Sequence, residues 1–393
     1  MQYRKLGKSG LNVSALGLGL MRLPTMSPEA NREYRTSGGM VGEVDEKATR
    51  ELVVRAVEQG VNFFDSGYKY CGGQSESVFG KVVQDTGLRD KVIIQTKAPV
   101  WSIRSKADFH KYLEEQLGRL RMDCIDVYLF HGVYKERWQK LVQLGIVEEL
   151  IRAKKMGKVA HIGFSFHGNL DVFKEIVDYT PEWETCLIQL NYLDDKYQAG
   201  IEGMQYAHER GLGVSIMEPL RGGMLADVPK EVHEIFQKAE IQKSPVEWGL
   251  DYLWDMPEVA CAFSGMGNVK MMDENCSYAA RSRVGMLGEE GRAIIARVKK
   301  RFGEYDVVPC TGCAYCIPCP VGISIPQTFL VYNRLMMGYD KEDCRNRYER
   351  WATIFGKKPS ICFDCLRCEK WCPQNIKICA ELKKVVRAFE GEK

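Results

Sequence analysis

No apolar run in this 393-residue chain approaches the ~20 residues needed to span a bilayer. Met1-Gln2-Tyr3 opens no apolar signal segment, so the expected location is the cytoplasm, with no membrane partner. Net charge is equally scarce. The 55 lysines and arginines against 52 acidic residues leave +3, without the basic excess that a nucleic-acid partner calls for. Gly17-x-Gly19 lacks the third glycine and the following helix of a dinucleotide fingerprint. No flavin motif is legible, and no C-x3-C-x2-C run of the radical-SAM type occurs. Composition is otherwise ordinary for a soluble globular protein, and the length suits one large domain plus a small one.

Cysteine, by contrast, is abundant. Cys310, Cys313, Cys316 and Cys319 stand three apart and run into Pro320; Cys362, Cys365, Cys368 and Cys372 follow as C-x2-C-x2-C-x3-C, with Pro373 after the last. The second run has the spacing by which bacterial ferredoxins hold [4Fe-4S] clusters, and the first is one residue shorter. A cubane cluster needs several thiolates converging on one small volume. Turns of two intervening residues allow that, and the proline stops a helix from carrying the last thiolate away. A zinc ribbon takes four ligands and leaves four cysteines unexplained. Disulfides fit poorly, because fifteen is an odd count. The expectation is two [4Fe-4S] clusters. Resemblance to two-cluster ferredoxins, where the fourth cysteine of each run serves the other cluster, implies Cys310, Cys313, Cys316 and Cys372 at one site. It implies Cys362, Cys365, Cys368 and Cys319 at the other, with Cys344 and Cys379 as spare candidates. Cys71, Cys124, Cys186, Cys261 and Cys276 read mostly as buried apolar fillers.

Upstream, short apolar runs recur at residues 15–20, 61–64, 92–95, 125–130, 159–163, 187–190, 213–217 and 259–263. Helical patterns such as Phe109-Tyr112-Leu113-Leu117-Leu120 lie between them. About thirty residues per strand–helix unit, through eight strands, predicts an α/β fold, a (β/α)8 TIM barrel rather than an open sheet. Residues 3–13 read as a hairpin closing the barrel floor. Residues 284–301 read as a helix tying the barrel to the cysteine-rich part, and 325–337 and 343–355 as helices between the two runs. The expected division is a barrel over 1–283, a linker helix over 284–305 and a small, mainly helical ferredoxin-like domain over 306–393. Arg345, Arg347, Tyr348, Arg350 and Trp351 read as a solvated helix face rather than a docking surface.

Polar residues end successive strands: Asp65, Lys97, His131, Ser165, Gln189 with Asn191, Glu218, and Ser264 with Gly265. The C-terminal strand ends of such a barrel form the active-site rim. Together with Tyr3-Arg4-Lys5-Leu6-Gly7, Asn62-Phe63-Phe64-Asp65-Ser66-Gly67, Tyr70, Ser75-Glu76, Thr96-Lys97, residues 126–131, Gly163-Phe164-Ser165, Glu218-Pro219-Leu220-Arg221-Gly222-Gly223 and Glu274-Asn275, they resemble the aldo-keto reductases. The likeness is to the branch with a C-terminal ferredoxin-like extension.

That resemblance implies Asp65, Tyr70, Lys97 and His131 as a catalytic tetrad. Reducing a carbonyl takes a hydride on carbon and a proton on oxygen. Tyr70 is the implied acid, and Lys97 would lower its pKa from ~10 toward the working range. Asp65 would hold Lys97 charged, and His131 would orient the carbonyl. Tyr68 is the competing acid, disfavoured because the motif places the acid five residues after the aspartate. The resemblance further implies NAD(H) or NADP(H) as carrier, bound by Ser165, Gln189, Met217, Glu218, Leu220, Gly222, Gly265, Glu274 and Asn275. Met217 replaces the aromatic that usually stacks on nicotinamide, and Phe166 a usual asparagine. Gly265, Met266 and Met271 replace the residues that grip a 2′-phosphate, with Lys270 as the nearby cation, so NADH preference or weak discrimination is expected.

Iron–sulfur clusters pass single electrons whereas nicotinamide passes a hydride, and coupling the two normally calls for a flavin. The expected function is an oxidoreductase acting on a small carbonyl or alcohol, its clusters exchanging electrons with a ferredoxin or flavoprotein partner or with a flavin. The alternatives are an electron-transfer or redox-sensing protein with a non-catalytic ligand-binding barrel, and a reductase with purely structural clusters. Trp101 and the loop over residues 21–45 are expected to shape the substrate pocket.

Overall fold

The structure is a computed structural model that describes residues 1–26, 42–354 and 356–391. Eight parallel strands close into a barrel in the order β10-β3-β4-β5-β6-β7-β8-β9. They are β3 (Leu16–Gly19), β4 (Phe63–Asp65), β5 (Ile93–Ala98), β6 (Ile125–Val133), β7 (Val159–Phe166), β8 (Thr185–Gln189), β9 (Gly213–Met217) and β10 (Val259–Ser264). Each coincides with one of the eight expected runs, shifted by a few residues at the ends. The antiparallel pair β1 (Tyr3–Lys5) and β2 (Asn12–Ser14) is the expected hairpin. Arg4 on β1 donates to the carbonyls of Trp254 and Met256 ahead of β10 and of Val259 at its start, which pins the hairpin across the N-terminal end of the barrel.

The barrel interior is filled rather than open. Leu6 and Val13 from the hairpin meet Phe63, Val127, Leu129, Leu187 and Phe263 in one buried cluster. Gly17 owes its identity to this packing: a Cβ there would stand 2.4 Å from the Phe263 ring. That is a steric reason for glycine with nothing to do with a nucleotide. Outside the strands a large apolar core lies under the helices. Several of those helices start on side chains that accept an otherwise unpaired backbone N–H, as Asp45 does for Glu46–Glu58 and Asn268 for Val269–Ala280.

Three expectations need correction here. The tying helix runs Gly288–Phe302 rather than from 284, because Gly285 and Gly288 both have positive φ and the Leu287 N–H bonds Asp255 Oδ1 at 2.8 Å. It packs with Leu225, Phe236 and Trp248 of the barrel and with Met337 in a separate buried cluster. Between the cysteine runs, Ile325–Met336 is helical as expected. The second helix is Lys341–Glu349 and loosens into a wider turn over Arg350–Ile354. Its aromatics are not a solvated face. Tyr348 is fully buried and stacks on Phe389 with ring centroids 4.3 Å apart, and Trp351 is buried beside it. They belong to an apolar core drawn from residues 308–385, which the helix Ile378–Phe389, not foreseen from the sequence, helps to build. Among the described residues from 306 onward there is no strand, so the likeness to ferredoxins rests on cysteine spacing alone. No helix of the described residues is long and apolar enough to cross a membrane.

Candidate active site

At the C-terminal mouth of the barrel, Asp65 ends β4, and Lys97 and His131 stand near the ends of β5 and β6. Tyr70 comes from the loop after β4, where the backbone turns back on itself with positive φ at Cys71 and Gly72. All four side chains are buried. Lys97 Nζ donates to both Asp65 oxygens, at 2.6 and 2.7 Å, to the Ser66 carbonyl at 2.6 Å and to the Tyr70 hydroxyl at 3.1 Å. Gln95 holds Asp65 from the far side at 2.8 Å. Tyr68 is turned away, its hydroxyl on Glu115 at 3.0 Å, so of these two tyrosines only Tyr70 faces Lys97.

The electrostatics depart from expectation at Tyr70. Its pKa is raised well above that of a free phenol, first by burial, then by Tyr315 and the Asp65 carboxylate. The Lys97 contact does not overcome these, so Tyr70 is held firmly as a phenol with its proton in place. Burial likewise draws Lys97 down and Asp65 up, while their mutual contact opposes both shifts. His131 is pushed well below its ordinary range by burial and by Lys97, Arg137, His167 and Lys69, so it is a neutral imidazole.

The cysteine-rich part enters this site directly, through two side chains that no motif or spacing singled out. Tyr315, between Cys313 and Cys316, places its hydroxyl 2.9 Å from His131 Nε2 and also accepts a hydrogen bond from Tyr70. It thus stands between the Tyr70 phenol and the His131 imidazole. Gln374, two residues after Cys372, forms a reciprocal amide pair with Gln189, at 2.7 and 3.3 Å. Its carbonyl is held by the Tyr197 hydroxyl at 2.9 Å, and the neighbouring Pro373 carbonyl by Gln198 at 3.0 Å. Arg22 donates to the Thr311 carbonyl at 3.0 Å, and a Cβ at Gly222 would lie 2.2 Å from that same oxygen. Gly222 and Thr311 therefore fix how closely the first cysteine run lies on the barrel.

Beneath this cover is a cavity of about 510 Å³. Its wall holds the tetrad together with Ser165, Met217, Glu218, Leu220, Gly222, Gly265, Glu274 and Asn275. Among the expected carrier-binding residues Gln189 alone is missing from that wall, because Gln374 lies over it. Lys270 points outward, 85 % exposed and 3.8 Å from Glu274, so it offers the cavity no cation. Phe166 is buried against Phe164 and Phe173 rather than facing the cavity. Met21 and Arg22 line it as well. Of the rest of the expected pocket loop, residues 23–26 and 42–45 are not among the lining residues, and 27–41 lie outside the described residues.

None of the eight cysteines of the two runs is paired in a disulfide. Cys310, Cys313 and Cys316 are each pushed up in pKa first by burial and further by Cys372, and Cys316 also by Cys368. Cys362 Sγ stands 4.0 Å from Cys379 Sγ and 3.9 Å from Asp364 Oδ1. Cys379, a spare candidate from the sequence, thus competes with Cys319 for a place in the second group.

A parallel (β/α)8 barrel with a lysine–aspartate pair, a phenol and a neutral imidazole converging on one buried point at its C-terminal mouth is the architecture of an enzyme. Residues 15–283 match the Aldo/keto reductase family, and the chain belongs to it; it is an oxidoreductase. It is 27 % identical over 326 residues to L-galactose dehydrogenase of Arabidopsis thaliana, covering 76 % of this chain and 96 % of that protein. It is 25 % identical over 332 residues to the oxidoreductase YqkF of Bacillus subtilis, covering 76 % and 97 %. The holo form of aldo-keto reductase AKR11C1 from Bacillus halodurans shares the fold with a TM-score of 0.61 at 24 % identity, over 76 % of this chain and 96 % of that one. Residues 284–393 lie beyond the family match.

Proposed function

We propose that this chain is an iron–sulfur oxidoreductase that reduces a small carbonyl, or oxidises the matching alcohol, at Asp65, Tyr70, Lys97 and His131. Two [4Fe-4S] clusters would exchange electrons at the barrel mouth. The division into a barrel over 1–283, a tie over 284–305 and a cluster unit over 306–393, with a cytoplasmic setting, is part of this reading. The observation that carries it is Tyr315: the residue between two cluster cysteines is also the residue hydrogen-bonded to the tetrad. An electron centre and a carbonyl-handling site share one loop, which a ligand-binding barrel with remote clusters would not need.

The donor set fits clusters. Cys310, Cys313, Cys316 and Cys372 would hold one, and Cys362, Cys365 and Cys368 with Cys319 or Cys379 the other. Bound iron would reverse the raised thiol pKa values, since the ligands are thiolates. Eight of the nine expected carrier-binding residues line one cavity, which supports a dinucleotide there, but a nicotinamide carboxamide bound at Gln189 would first displace Gln374. When bound, a dihydronicotinamide supplies hydride and the clusters exchange single electrons, with a ferredoxin, a flavoprotein or a flavin as the outside carrier. The chain's own residues do the rest. Tyr70 gives its phenolic proton to the carbonyl oxygen as the carbon is reduced, and the Lys97 ammonium at 3.1 Å stabilises the phenolate that remains. Asp65 keeps Lys97 charged and aimed, and neutral His131 orients the oxygen through Nε2. Substrate takes the place of the Tyr315 hydroxyl.

Gln374→Ala tests the carrier pose. Losing two neutral hydrogen bonds frees Gln189, each worth about 0.5–1.5 kcal/mol. NADH should then bind roughly 5–100-fold more tightly by calorimetry, with NADPH gaining no more than NADH. Unchanged affinity would place the nicotinamide away from Gln189. The function itself is tested with anaerobic full-length protein reduced by dithionite, freed of excess reductant and mixed with benzaldehyde, catalytic NAD⁺ and a flavin, so that paired cluster electrons become the hydride that the carbonyl carbon takes. The electron paramagnetic resonance signal of the reduced clusters should vanish in step with alcohol formation, two electrons per alcohol. A signal that persists while NADH alone sustains turnover would make the clusters structural.

A further inference from the structure

A second cavity, of about 1240 Å³, opens on the other side of Tyr315, and His131 and Tyr315 line both. We infer that it binds the anionic group of the substrate, a carboxylate or phosphate carried on the same molecule as the carbonyl. This rests on the reading of the tetrad above and adds the substrate class.

The cavity wall joins an apolar floor to a set of cations without counter-ions. The Trp101 ring packs against His131, centroids 4.9 Å apart. Arg137 lies over Trp101 at 5.6 Å, over Trp371 at 6.0 Å and over Tyr134 at 4.5 Å. Lys69 lies over the same two indoles, at 5.2 and 5.6 Å. Arg137 is half-buried and fixed by a 2.7 Å bond to the Gly132 carbonyl. Among the described residues neither cation has a carboxylate partner. Each is drawn down in pKa by burial, and Lys69 further by Arg137, as expected for two like charges brought together with no anion between them.

Lys135, Lys196, Arg367 and Lys370 add four more cations to the wall, against the carboxylates Glu136 and Glu369. The +3 of the whole chain is thus exceeded within one cavity. Free surface lysines and arginines are commonplace, but a half-buried guanidinium held in one orientation, beside an ammonium and with no acid, is costly to maintain. A bound anion removes that cost, and a guanidinium fork suits either carboxylate or phosphate. Low-dielectric indole walls focus the field into the cavity and favour capture of an anion. The contact between Trp101 and His131 sets the geometry: an anion at Arg137 and Lys69 leaves the rest of the molecule along Trp101, with its carbonyl at His131 once Tyr315 yields.

Two matched pairs of probes test this on anaerobic full-length protein: 4-carboxybenzaldehyde against benzaldehyde, and glyceraldehyde 3-phosphate against glyceraldehyde. Binding is followed without any reductant through tryptophan fluorescence, since Trp101 and Trp371 line the cavity. In at least one pair the charged member should bind ten-fold or more tightly than the neutral one, and that pair names the anionic group. The preference should shrink with added salt. Lys69→Gln and Arg137→Gln should each reduce it by roughly ten-fold; Lys69 is exposed, so its variant serves where loss of Arg137 impairs folding. Equal binding within both pairs, or a preference that Lys69→Gln leaves intact, would overturn the inference. Charge preference without turnover would instead count against the redox reading alone, and turnover without preference against this inference alone.

Discussion

Tyr70→Phe is expected to lower carbonyl turnover by about 10²–10⁴-fold while leaving the iron content and the fold unchanged. The substitution keeps the buried ring and removes only the hydroxyl that lies 3.1 Å from Lys97 and donates to Tyr315. No second phenol can take over. Tyr68 is bound to Glu115 outside the site, and Tyr315 enters as the acceptor of the Tyr70 hydrogen bond rather than as a partner of Lys97. Steady-state rates of Tyr70→Phe and Tyr68→Phe, measured side by side with the same aldehyde, check the assignment. A near-normal Tyr70→Phe together with an inactive Tyr68→Phe would move the acid to the neighbouring turn.

Lys97→Met should be the most damaging single change to barrel stability, costing about 3–5 kcal/mol at neutral pH. The two charges are buried together at 2.6 Å, and removing the ammonium leaves the Asp65 carboxylate without its counter-ion. Burial already pushes the Asp65 pKa up, and Lys97 is the first influence opposing that push. Without it the folded protein holds a proton on Asp65 that the unfolded chain, with a carboxyl pKa of ~3.9, gives up. The folded state then binds more protons than the unfolded state, so stability falls as pH rises above about 4 and partly returns on acidification. Denaturant melts of Lys97→Met at several pH values, against wild type, read this directly. Lys97→Met combined with Asp65→Leu should recover much of the loss, since no buried charge is then left unpaired. A flat pH dependence of the difference would mean that Asp65 is solvated or partnered elsewhere.

The barrel was legible because its strands are short, apolar and evenly spaced, and because a parallel barrel displays one polar residue at each strand's C-terminal end. Asp65, Lys97, His131, Ser165, Gln189 and Glu218 could be read off in order for that reason. Tyr70 needed its spacing from Asp65, and its pKa could not be read at all. Lys97 alone argued for a lowered value, whereas burial and Tyr315 raise it, and burial is a property of the folded mouth. Tyr315 and Gln374 were invisible for a related reason. Each is an ordinary polar residue in a cysteine motif, and its role arises only where residues far apart in sequence meet His131 and Gln189. Tyr348 and Trp351 looked like a solvated face because basic residues alternate with them. The presence of Arg345 and Arg347 masked an apolar pair that packs against a helix not recognised from its sequence. The start of the tying helix was misplaced because a helix-like pattern continued through Gly285 and Gly288, whose positive φ values no periodicity reports.

Whether the two cysteine runs hold iron–sulfur clusters is read from the metal and sulfide content of full-length protein purified without oxygen. Two clusters require about eight irons and eight acid-labile sulfides per chain, with half of each lost in Cys365→Ser while the barrel stays folded. Stoichiometric zinc with little or no sulfide would contradict them.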